Sequence, residues 1–365
     1  MKLVTHTLLP KGHKFNVRKL IFFANIALLF LIVYTSIPFA QGFLNVAESK
    51  KVNIATVYNP EMIQDAESHW FDLYNRVRGV KIGFVGDIML DRGVEFSVKK
   101  YGKGDTGFPF ENIRDEMQSY DLLFGNLEGP ISDKGSNHGS IYSFRMNPKN
   151  AEELRDSNFS VLSIANNHAG DWGIEALTDT LDRLNRVGIT SVGVGYDRKG
   201  AYRPKVLTLS DGTMVAFIAM SEFSQHIKAG DNNPGIAIIE KSELLDSIEE
   251  AEAIADITVV SFHYGYEYEP LPNKFQEDIS KFAIDSGADI VIGHHPHVLQ
   301  PVIQYKDGYI AYSLGNFIFD QSFSEETMEG GILEAIIMDK KITNVSLRRT
   351  VQNEMFQVNF KEESR

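Results

Sequence analysis

Residues 287–301 read GADIVIGHHPHVLQP, and this stretch shows the pattern from which the fold of the chain can be predicted. Ile290–Ile292 is a short apolar run rich in β-branched residues, which is typical of a buried strand. The loop that follows holds three histidines in four residues: His294, His295 and His297. Histidines so close together repel one another when protonated, and their clustering does not stabilise the fold. The cluster therefore indicates a metal site at the end of a strand.

Similar apolar runs recur along the chain and alternate with helical patterns. Strands are predicted at Val80–Val85, Leu122–Phe124, Val161–Ile164, Met214–Ala219, Ile257–Phe262, Ile290–Ile292 and Tyr309–Leu314. Helices are predicted at 174–187, 240–255 and 275–283, where apolar residues return with helical spacing. Residues 331–338 and 342–352 alternate in hydrophobicity like a hairpin. The chain is therefore expected to be an α/β protein whose sheet is mixed.

Side chains of metal-binding type follow four of the other predicted strands. They are Asp87, Asn126, Glu128, Asn167, His168 and His263. Because the carboxyl ends of strands in an open α/β sheet meet in one crevice, these side chains are expected to converge there with the histidine cluster. Nitrogen and oxygen ligands without thiolate favour manganese, zinc or iron over calcium. The pattern predicts a shared site for a divalent transition metal.

The N-terminal segment predicts the compartment. Residues 20–40 are 21 uncharged residues, enough to span about 31 Å as a helix, which is the thickness of a bilayer core. All positive charges of residues 1–47 precede this segment, so the tail 1–19 is expected in the cytoplasm and the body outside. Residues 41–79 are expected to form a stalk with a helix near 66–77. A cleaved signal peptide is the alternative, and it too exports the body.

Composition excludes several classes of protein. The chain has 365 residues, 43% of them hydrophobic, which excludes a disordered chain. The net charge is −13, and the five positive charges of residues 1–47 leave −18 on the remainder. So acidic a body argues against nucleic acid as a partner. The absence of cysteine excludes disulfides, thiolate zinc sites and cysteine nucleophiles.

Six motifs of the chain resemble the CapA-type poly-gamma-glutamate capsule synthesis proteins, which are themselves similar to calcineurin-like metallophosphoesterases. The motifs are VGDIMLDRG (85–93), FGNLEGPIS (124–132), IANNHAGDWG (164–173), SFHYGYEY (261–268), GADIVIGHHPHVLQP (287–301) and AYSLGNFIFD (311–320). The resemblance implies a layered sandwich of two mixed sheets flanked by helices, at residues 80–321. Residues 322–365 are then expected to form a hairpin extension that packs on the same domain.

The resemblance also implies roles for individual residues. Asp87, Asn167, His263 and His297 would bind metal, and His168 would be a general acid oriented by Asp171. Two assignments stay open: Glu128 or Asn126 as the bridging ligand, and His294 or His295 as a further ligand.

The chain departs from the phosphoesterase pattern at two positions. Met89 stands where that pattern has a histidine, and Asn126 or Glu128 stands where it has an aspartate. Either one or two metal ions would be consistent with these changes.

Three further residues are candidates for substrate binding. Arg92 and Arg145 could hold a carboxylate or phosphate, although pairing with nearby acids is an equally good interpretation. Asn316 follows a strand and is expected at the edge of the crevice.

Glu267, four residues after His263, could orient a ligand histidine.

Three functions are compatible with the sequence, and they leave open whether the chain is an enzyme. The first is a membrane-anchored protein of capsule or poly-gamma-glutamate synthesis or export that acts on the anionic polymer beside membrane-bound synthesis subunits. The second is an exported metallophosphoesterase with a phosphorylated envelope substrate. The third is a scaffold subunit that retains its metal for structure.

Overall fold

The computed structural model describes residues 79–138 and 141–362. The predicted tail, membrane span and stalk, with its helix near 66–77, lie outside the described residues except for Gly79. Among the described residues, no helix has the length and hydrophobicity needed to cross a bilayer.

Strands and helices alternate along most of the described chain. In chain order the strands are β1 (Val80–Ile88), β2 (Leu122–Leu127), β3 (Phe159–Ser163), β4 (Thr190–Val192), β5 (Val194–Gly195), β6 (Lys205–Thr208), β7 (Met214–Ser221), β8 (Gly235–Ile236), β9 (Ile257–His263), β10 (Ile290–His294), β11 (Val302–Tyr305), β12 (Gly308–Ala311), β13 (Asn316–Ile318), β14 (Glu329–Met338), β15 (Lys341–Gln352) and β16 (Val358–Phe360). The α-helices are α1 (Arg92–Lys100), α2 (Arg114–Met117), α3 (Asn150–Asp156), α4 (Gly173–Arg186), α5 (Arg198–Tyr202), α6 (Lys241–Glu252) and α7 (Lys274–Asp285).

Two large sheets organise these strands. Within the described residues, the first has eight strands in the order β16-β15-β14-β1-β2-β3-β4, with β13 also pairing with β1. The second has six strands in the order β11-β12-β10-β9-β7-β6. Strands β1 to β4 are parallel neighbours, whereas β14 runs antiparallel to β1 and β6 antiparallel to β7. Both sheets are therefore mixed, which confirms the predicted α/β class.

The main hydrophobic core lies between the two sheets. Phe124 of β2 stacks on Phe217 of β7, with ring centroids 5.8 Å apart and planes inclined by 10°. A second apolar cluster joins the other face of the second sheet to α6 and α7, through residues such as Leu244 and Ile279. Helices thus cover the second sheet, and the first sheet packs against its opposite face.

Local sequence signals set the ends of two predicted helices. α7 begins with a capping box, in which Asn273 Oδ1 accepts from the Gln276 amide at 2.9 Å and Gln276 Oε1 accepts from the Asn273 amide at 3.0 Å. The helices α4 and α7 are followed by Gly188 at φ +78° and Gly287 at φ +123°. A left-handed glycine after the last turn ends a helix without steric strain.

The prediction of one strand over Tyr309–Leu314 is wrong. Strand β12 ends at Ala311 in the second sheet, and β13 begins at Asn316 in the first. Between them Gly315 adopts φ +65°, and its carbonyl oxygen accepts from the Asp87 amide at 3.0 Å. A Cβ atom on Gly86 would lie 2.0 Å from that oxygen, so two glycines allow the crossing.

Candidate metal centre

The carboxyl ends of strands from both sheets meet at one buried group of ligand-type side chains. Asp87 lies near the end of β1, Glu128 directly after β2, and His297 in the loop after β10. One potential ligand atom from each of the three lies within 4.8 Å of the other two. Their side chains are 0%, 0% and 2% exposed. The strand ends thus bring together three residues distant in sequence.

Glu128 is the clearest sign that this group suits a cation. Neither carboxylate oxygen has a hydrogen-bond partner among the described residues, and both are buried. The Nε2 atoms of His297 and His168 each lie 3.7 Å from Glu128 Oε1. Burial raises the pKa of Glu128 well above its usual value, against the opposing effect of His297. A divalent cation would compensate the buried charge, so the residues present fit a metal ion.

Asp87 is held in its charged form by two histidines. His294 Nδ1 lies 3.3 Å from Asp87 Oδ1, and His297 Nδ1 lies 3.3 Å from Oδ2. Burial by itself would raise the pKa of Asp87, but the neighbouring imidazoles of His294 and His297 hold it well below its ordinary value. Asp87 is therefore a carboxylate, which is the form that binds metal.

The ring of His297 is oriented by Asn316. The Asn316 amide nitrogen donates to Thr327 O at 2.9 Å and Gln321 Oε1 at 3.0 Å, so its Oδ1 faces His297 Nδ1 at 2.9 Å. With Nδ1 donating there, Nε2 is the atom directed at Glu128. Burial opposes the charged ring, but Glu128 and Asp87 raise the pKa of His297 to about 9. Asn316 is fully buried, and its binding of substrate stays a prediction.

Asn126 and Glu128 were alternatives for one position, and the structure gives them different surroundings. Asn126 Nδ2 donates to Asp87 Oδ1 at 2.8 Å, and Asn126 Oδ1 accepts from Asn166 Nδ2 at 3.2 Å. Both ends of this amide are used, whereas neither oxygen of Glu128 has a hydrogen-bond partner in the described part of the chain. The ligand group contains Glu128, and Asn126 contacts it through Asp87.

His263, at the end of β9 in the second sheet, pairs with Asn167, in the loop after β3 of the first sheet. His263 Nε2 lies 2.8 Å from Asn167 Oδ1. Burial and the neighbouring His295 lower the pKa of His263 well below its usual value, so its ring is neutral. The rings of His263 and His295 are 4.8 Å apart, which places the pair beside the histidine cluster.

The loop after β10 holds its histidines in an uncommon conformation. His295 and His297 have φ of +96° and +58°, in the left-handed region that non-glycine residues rarely adopt. With Glu267 they form a second group of potential ligand atoms within 4.8 Å of one another. His294 belongs to neither ligand group and approaches Asp87 from the end of β10.

His168 and Asp171 form a hydrogen-bonded pair next to Glu128. His168 Nδ1 lies 2.8 Å from Asp171 Oδ2, which also accepts from the Phe144 amide at 2.8 Å. The Phe144 ring lies 4.1 Å from the His168 ring. This arrangement leaves Nε2 directed at the ligand group, as a proton donor there requires. Phe144 was missed, since an aromatic residue in a loop carries no sequence signal for such a contact.

The two candidate arginines differ in their partners. Arg92 forms an ion pair with Asp320 through two of its guanidinium nitrogens. The structure therefore agrees with the interpretation that Arg92 pairs with a nearby acid. The Arg145 guanidinium instead stacks on Trp172 at 3.6 Å from the ring centroid. Among the described residues it has no acidic partner. Arg145 is therefore the freer of the two to bind an anion.

Comparison with known proteins identifies relatives of the chain. The family described as bacterial capsule synthesis protein PGA_cap matches residues 81–321. The PGA biosynthesis protein CapA of Bacillus subtilis (strain 168) is 34% identical over 244 residues, which cover 66% of this chain and 63% of that protein. The capsule biosynthesis protein CapA of Bacillus anthracis is 33% identical over 264 residues, covering 70% and 63%. The chain thus spans less than two thirds of the length of these relatives.

Solved structures that align with the chain are more distant in sequence. The crystal structure of a phosphatase from Mycoplasma pneumoniae aligns with 75% of this chain and 94% of its own, at 14% identity and a TM-score of 0.46. The family match covers about two thirds of this chain and includes all six motifs, which lie within residues 85–320. The chain belongs to the bacterial capsule synthesis protein family PGA_cap.

Proposed function

We propose that this chain acts outside the cell in the synthesis or export of an anionic capsule polymer of the poly-gamma-glutamate type. The names of its relatives in Bacillus support the role in capsule synthesis. The chemistry proposed is metal-dependent hydrolysis at the group formed by Asp87, Glu128 and His297. The observation that carries this part is the buried Glu128 carboxylate, whose oxygens have no partner among the described residues.

The side chains around Glu128 have different roles in such a reaction. A divalent metal bound at the group would polarise an acyl or phosphoryl oxygen of the substrate. His168 donates a proton from Nε2 to the leaving group, and Asp171 holds the opposite ring nitrogen at 2.8 Å. The Phe144 ring covers one face of His168 and limits the access of water to it. Asn316 fixes His297 through Nδ1.

Because the body is acidic, it can bind a polyanion only at a local group of positive charges. The body carries −18 outside residues 1–47, so an anionic polymer is repelled at long range. Arg145, stacked on Trp172, offers guanidinium donors close to the loop that carries Phe144. We infer that this arginine and the bound metal together hold one anionic group of the substrate.

The proposal includes a membrane anchor at residues 20–40. The uncharged segment and the five positive charges that precede it support a cytoplasmic tail and an external body. Because the chain lacks cysteine, single introduced cysteines give an unambiguous test. In intact cells a membrane-impermeant maleimide should label a Ser49→Cys variant and leave a Thr5→Cys variant unlabelled. The opposite labelling would show that the topology is the reverse of the one proposed. A shortened mature chain would indicate a cleaved signal peptide.

One set of measurements tests the enzymatic part. The full-length chain in detergent is assayed for bound metal, for cleavage of poly-gamma-glutamate and for cleavage of a phosphodiester. His297→Ala should lose metal and activity together, and His168→Ala should keep the metal and lose activity. A wild-type chain that binds no transition metal would overturn the metal site. Normal polymer production in cells carrying His168→Ala would overturn the general acid.

A second candidate function is an exported phosphoesterase with a phosphorylated envelope substrate. The pairing of His168 with Asp171, aimed at the ligand group, favours it because a leaving alkoxide needs a proton. Turnover of the phosphodiester without turnover of the polymer would select this candidate. Tightly bound metal with neither activity would favour a scaffold subunit of the polymer synthesis complex.

A further inference from the structure

We propose that a cavity beside β4 is a second binding site for the anionic polymer, where Lys205 holds a carboxylate and the free edge of β4 holds main-chain amides. This inference rests on the proposed function and adds a site apart from the metal centre. The cavity has a volume of about 440 Å³ and is lined mainly by α4, β4, β5 and the segment that leads from β5 to Lys205. That volume suits a short stretch of a chain.

The cavity lies where both sheets end. β4 is the last strand of the first sheet, and β6, which begins at Lys205, is the last strand of the second. Val192 O accepts from the Ile164 amide at 3.1 Å, on the side of β3. Because successive residues of a strand direct their amide groups to opposite sides, the N–H and C=O of Ser191 face away from β3. No described strand pairs with β4 on that side, so an extended chain with amides of its own fits this edge.

Lys205 brings a positive charge without a counter-ion to the cavity. Its Nζ donates to Gly200 O at 3.1 Å, and no carboxylate in the described part of the chain lies at ion-pairing distance. The other half-buried lysines of the described residues each pair with a carboxylate: Lys81 with Glu116, Lys228 with Glu240 and Lys281 with Glu277. Burial lowers the pKa of Lys205, so an anion beside the ammonium would stabilise its charged form.

The segment around Lys205 is basic although the body is acidic. Residues 198–205 hold four positive charges and no acid. The two arginines of this segment pair with glutamates of α6, whereas Lys199 and Lys205 have no ion-pair partner among the described residues. Asp197, the one acid among the described residues that line the cavity, accepts from the Gly200 amide at 2.6 Å. The cavity therefore offers the local positive charge that a polyanion needs on this body.

The cavity is close enough to the metal centre for one chain to contact both. β4 is three strands from β1, which carries Asp87. Neighbouring strands are about 4.8 Å apart, so about 14 Å separates the two strands. An extended chain of about five residues covers that distance. A polymer held at the cavity would stay bound to the protein between cleavages at the metal centre.

Binding of the polymer to full-length variants in detergent tests this inference. Calorimetric titration with poly-gamma-glutamate oligomers is carried out with a chelator, so that bound metal does not contribute. Lys205→Gln should weaken binding about tenfold or more, the value of one hydrogen bond to a charged group. Lys205→Arg keeps the charge and should retain most of the affinity. Lys341→Gln removes an exposed lysine that has no ion-pair partner in the described chain, and it should match the wild type.

Polyacrylate tests the role of β4, because it carries carboxylates without amides. It should bind more weakly than poly-gamma-glutamate with the same number of carboxylates. Amide exchange at Ser191 should slow when poly-gamma-glutamate binds and stay unchanged with polyacrylate. Equal affinities for the two polymers, with exchange at Ser191 unchanged by both, would overturn the role of β4.

The outcome for this site is independent of the outcome for hydrolysis. Unchanged affinity in Lys205→Gln, or a wild-type chain that does not bind the polymer, would overturn the second site and leave the metal centre untouched. Weaker binding by Lys205→Gln would support the second site even if the metal-loaded wild type failed to cleave the polymer. That failure would overturn only the proposed hydrolysis.

Discussion

His297 Nδ1 lies 3.3 Å from Asp87 Oδ2, although Asp87 lies on a strand of the first sheet and His297 in a loop that follows a strand of the second. The contact joins the end of β1 to the loop after β10. Glu128 and Asp87 raise the pKa of His297 to about 9, despite burial, so the metal-free ring is cationic at neutral pH. Metal binds the neutral ring, and binding must therefore release a proton.

Metal affinity should rise with pH because of this proton. Below pH 9, each unit of increasing pH raises the fraction of neutral His297 up to about tenfold, and the apparent affinity for Mn²⁺ or Zn²⁺ should follow. Calorimetric titrations between pH 6 and 8, in buffers with different ionisation enthalpies, measure the protons released. A heat of binding that does not depend on the buffer would contradict this prediction.

The stability of the metal-free chain should depend on pH with the opposite sign. The folded pKa of His297 lies above its unfolded value of about 6.5, so the stability it contributes is complete below pH 6.5 and is lost as pH rises through 9. Urea unfolding with a chelator at pH 6 and pH 9.5 should show this loss in the wild type. His297→Asn should lack that component, and an equal loss in both chains would argue against it.

Replacing Glu128 should separate stability from metal binding. Glu128→Gln replaces a buried carboxyl group whose oxygens have no hydrogen-bond partner among the described residues, so the metal-free chain should unfold at the same or a higher temperature. The same variant should lose the stabilisation by metal, which is about 2.7 kcal/mol at a metal concentration of 100 times Kd. Thermal unfolding with Zn²⁺ or with chelator measures both effects. Glu95→Gln, which changes a half-buried carboxylate of α1 outside the ligand group, should retain the full metal response. A normal response in Glu128→Gln would remove Glu128 from the ligand set.

His168→Ala should reduce turnover without loss of metal. A positioned general acid contributes about 10²- to 10⁴-fold, and Asp171→Asn should cost less because His168 remains. Steady-state kinetics on whichever of poly-gamma-glutamate and the phosphodiester the wild type cleaves, together with elemental analysis, distinguish this role from ligation. His226→Ala, an exposed histidine outside the crevice, is the control. Loss of metal in His168→Ala would make it a ligand instead.

Arg145→Gln should raise KM for an anionic substrate about tenfold or more, the value of one hydrogen bond to a charged group. The effect should shrink as salt screens the charge. Arg155→Gln provides an exposed arginine outside the crevice as the control. A fall in kcat at constant KM would show that Arg145 acts on the transition state alone.

The parts of the site that sequence could predict are those fixed by strand ends. A short apolar run followed by Asp87, Glu128 or the histidine cluster gives both the strand and the position of the ligand. Sequence could not choose between Glu128 and Asn126, because the choice depends on which side chain turns toward Asp87 across the sheet. It also continued Tyr309–Leu314 as one strand, since the change of sheet at Gly315 depends on the close approach of Gly86.

The position of Glu267 was beyond local patterns for a similar reason. Its distance to His295 is set by a hydrogen bond from Tyr268 to Pro296, between loops that follow different strands. Four-residue spacing from His263 suggested an interaction with that histidine, whereas the ligand group contains His295 and His297. Contacts between loops depend on the tertiary packing of the strands that carry them.

Because the ligands come from two sheets, a bound ion would connect the sheets. Asp87 and Glu128 extend from the first sheet and His297 from the second. In a chain without cysteine, an ion bound to all three is a cross-link between the layers, as a disulfide is elsewhere. Chelation would uncouple the layers, and amide exchange would accelerate along the seam between them before it does in α6 or α7. The supply of metal would then set how long the chain stays folded.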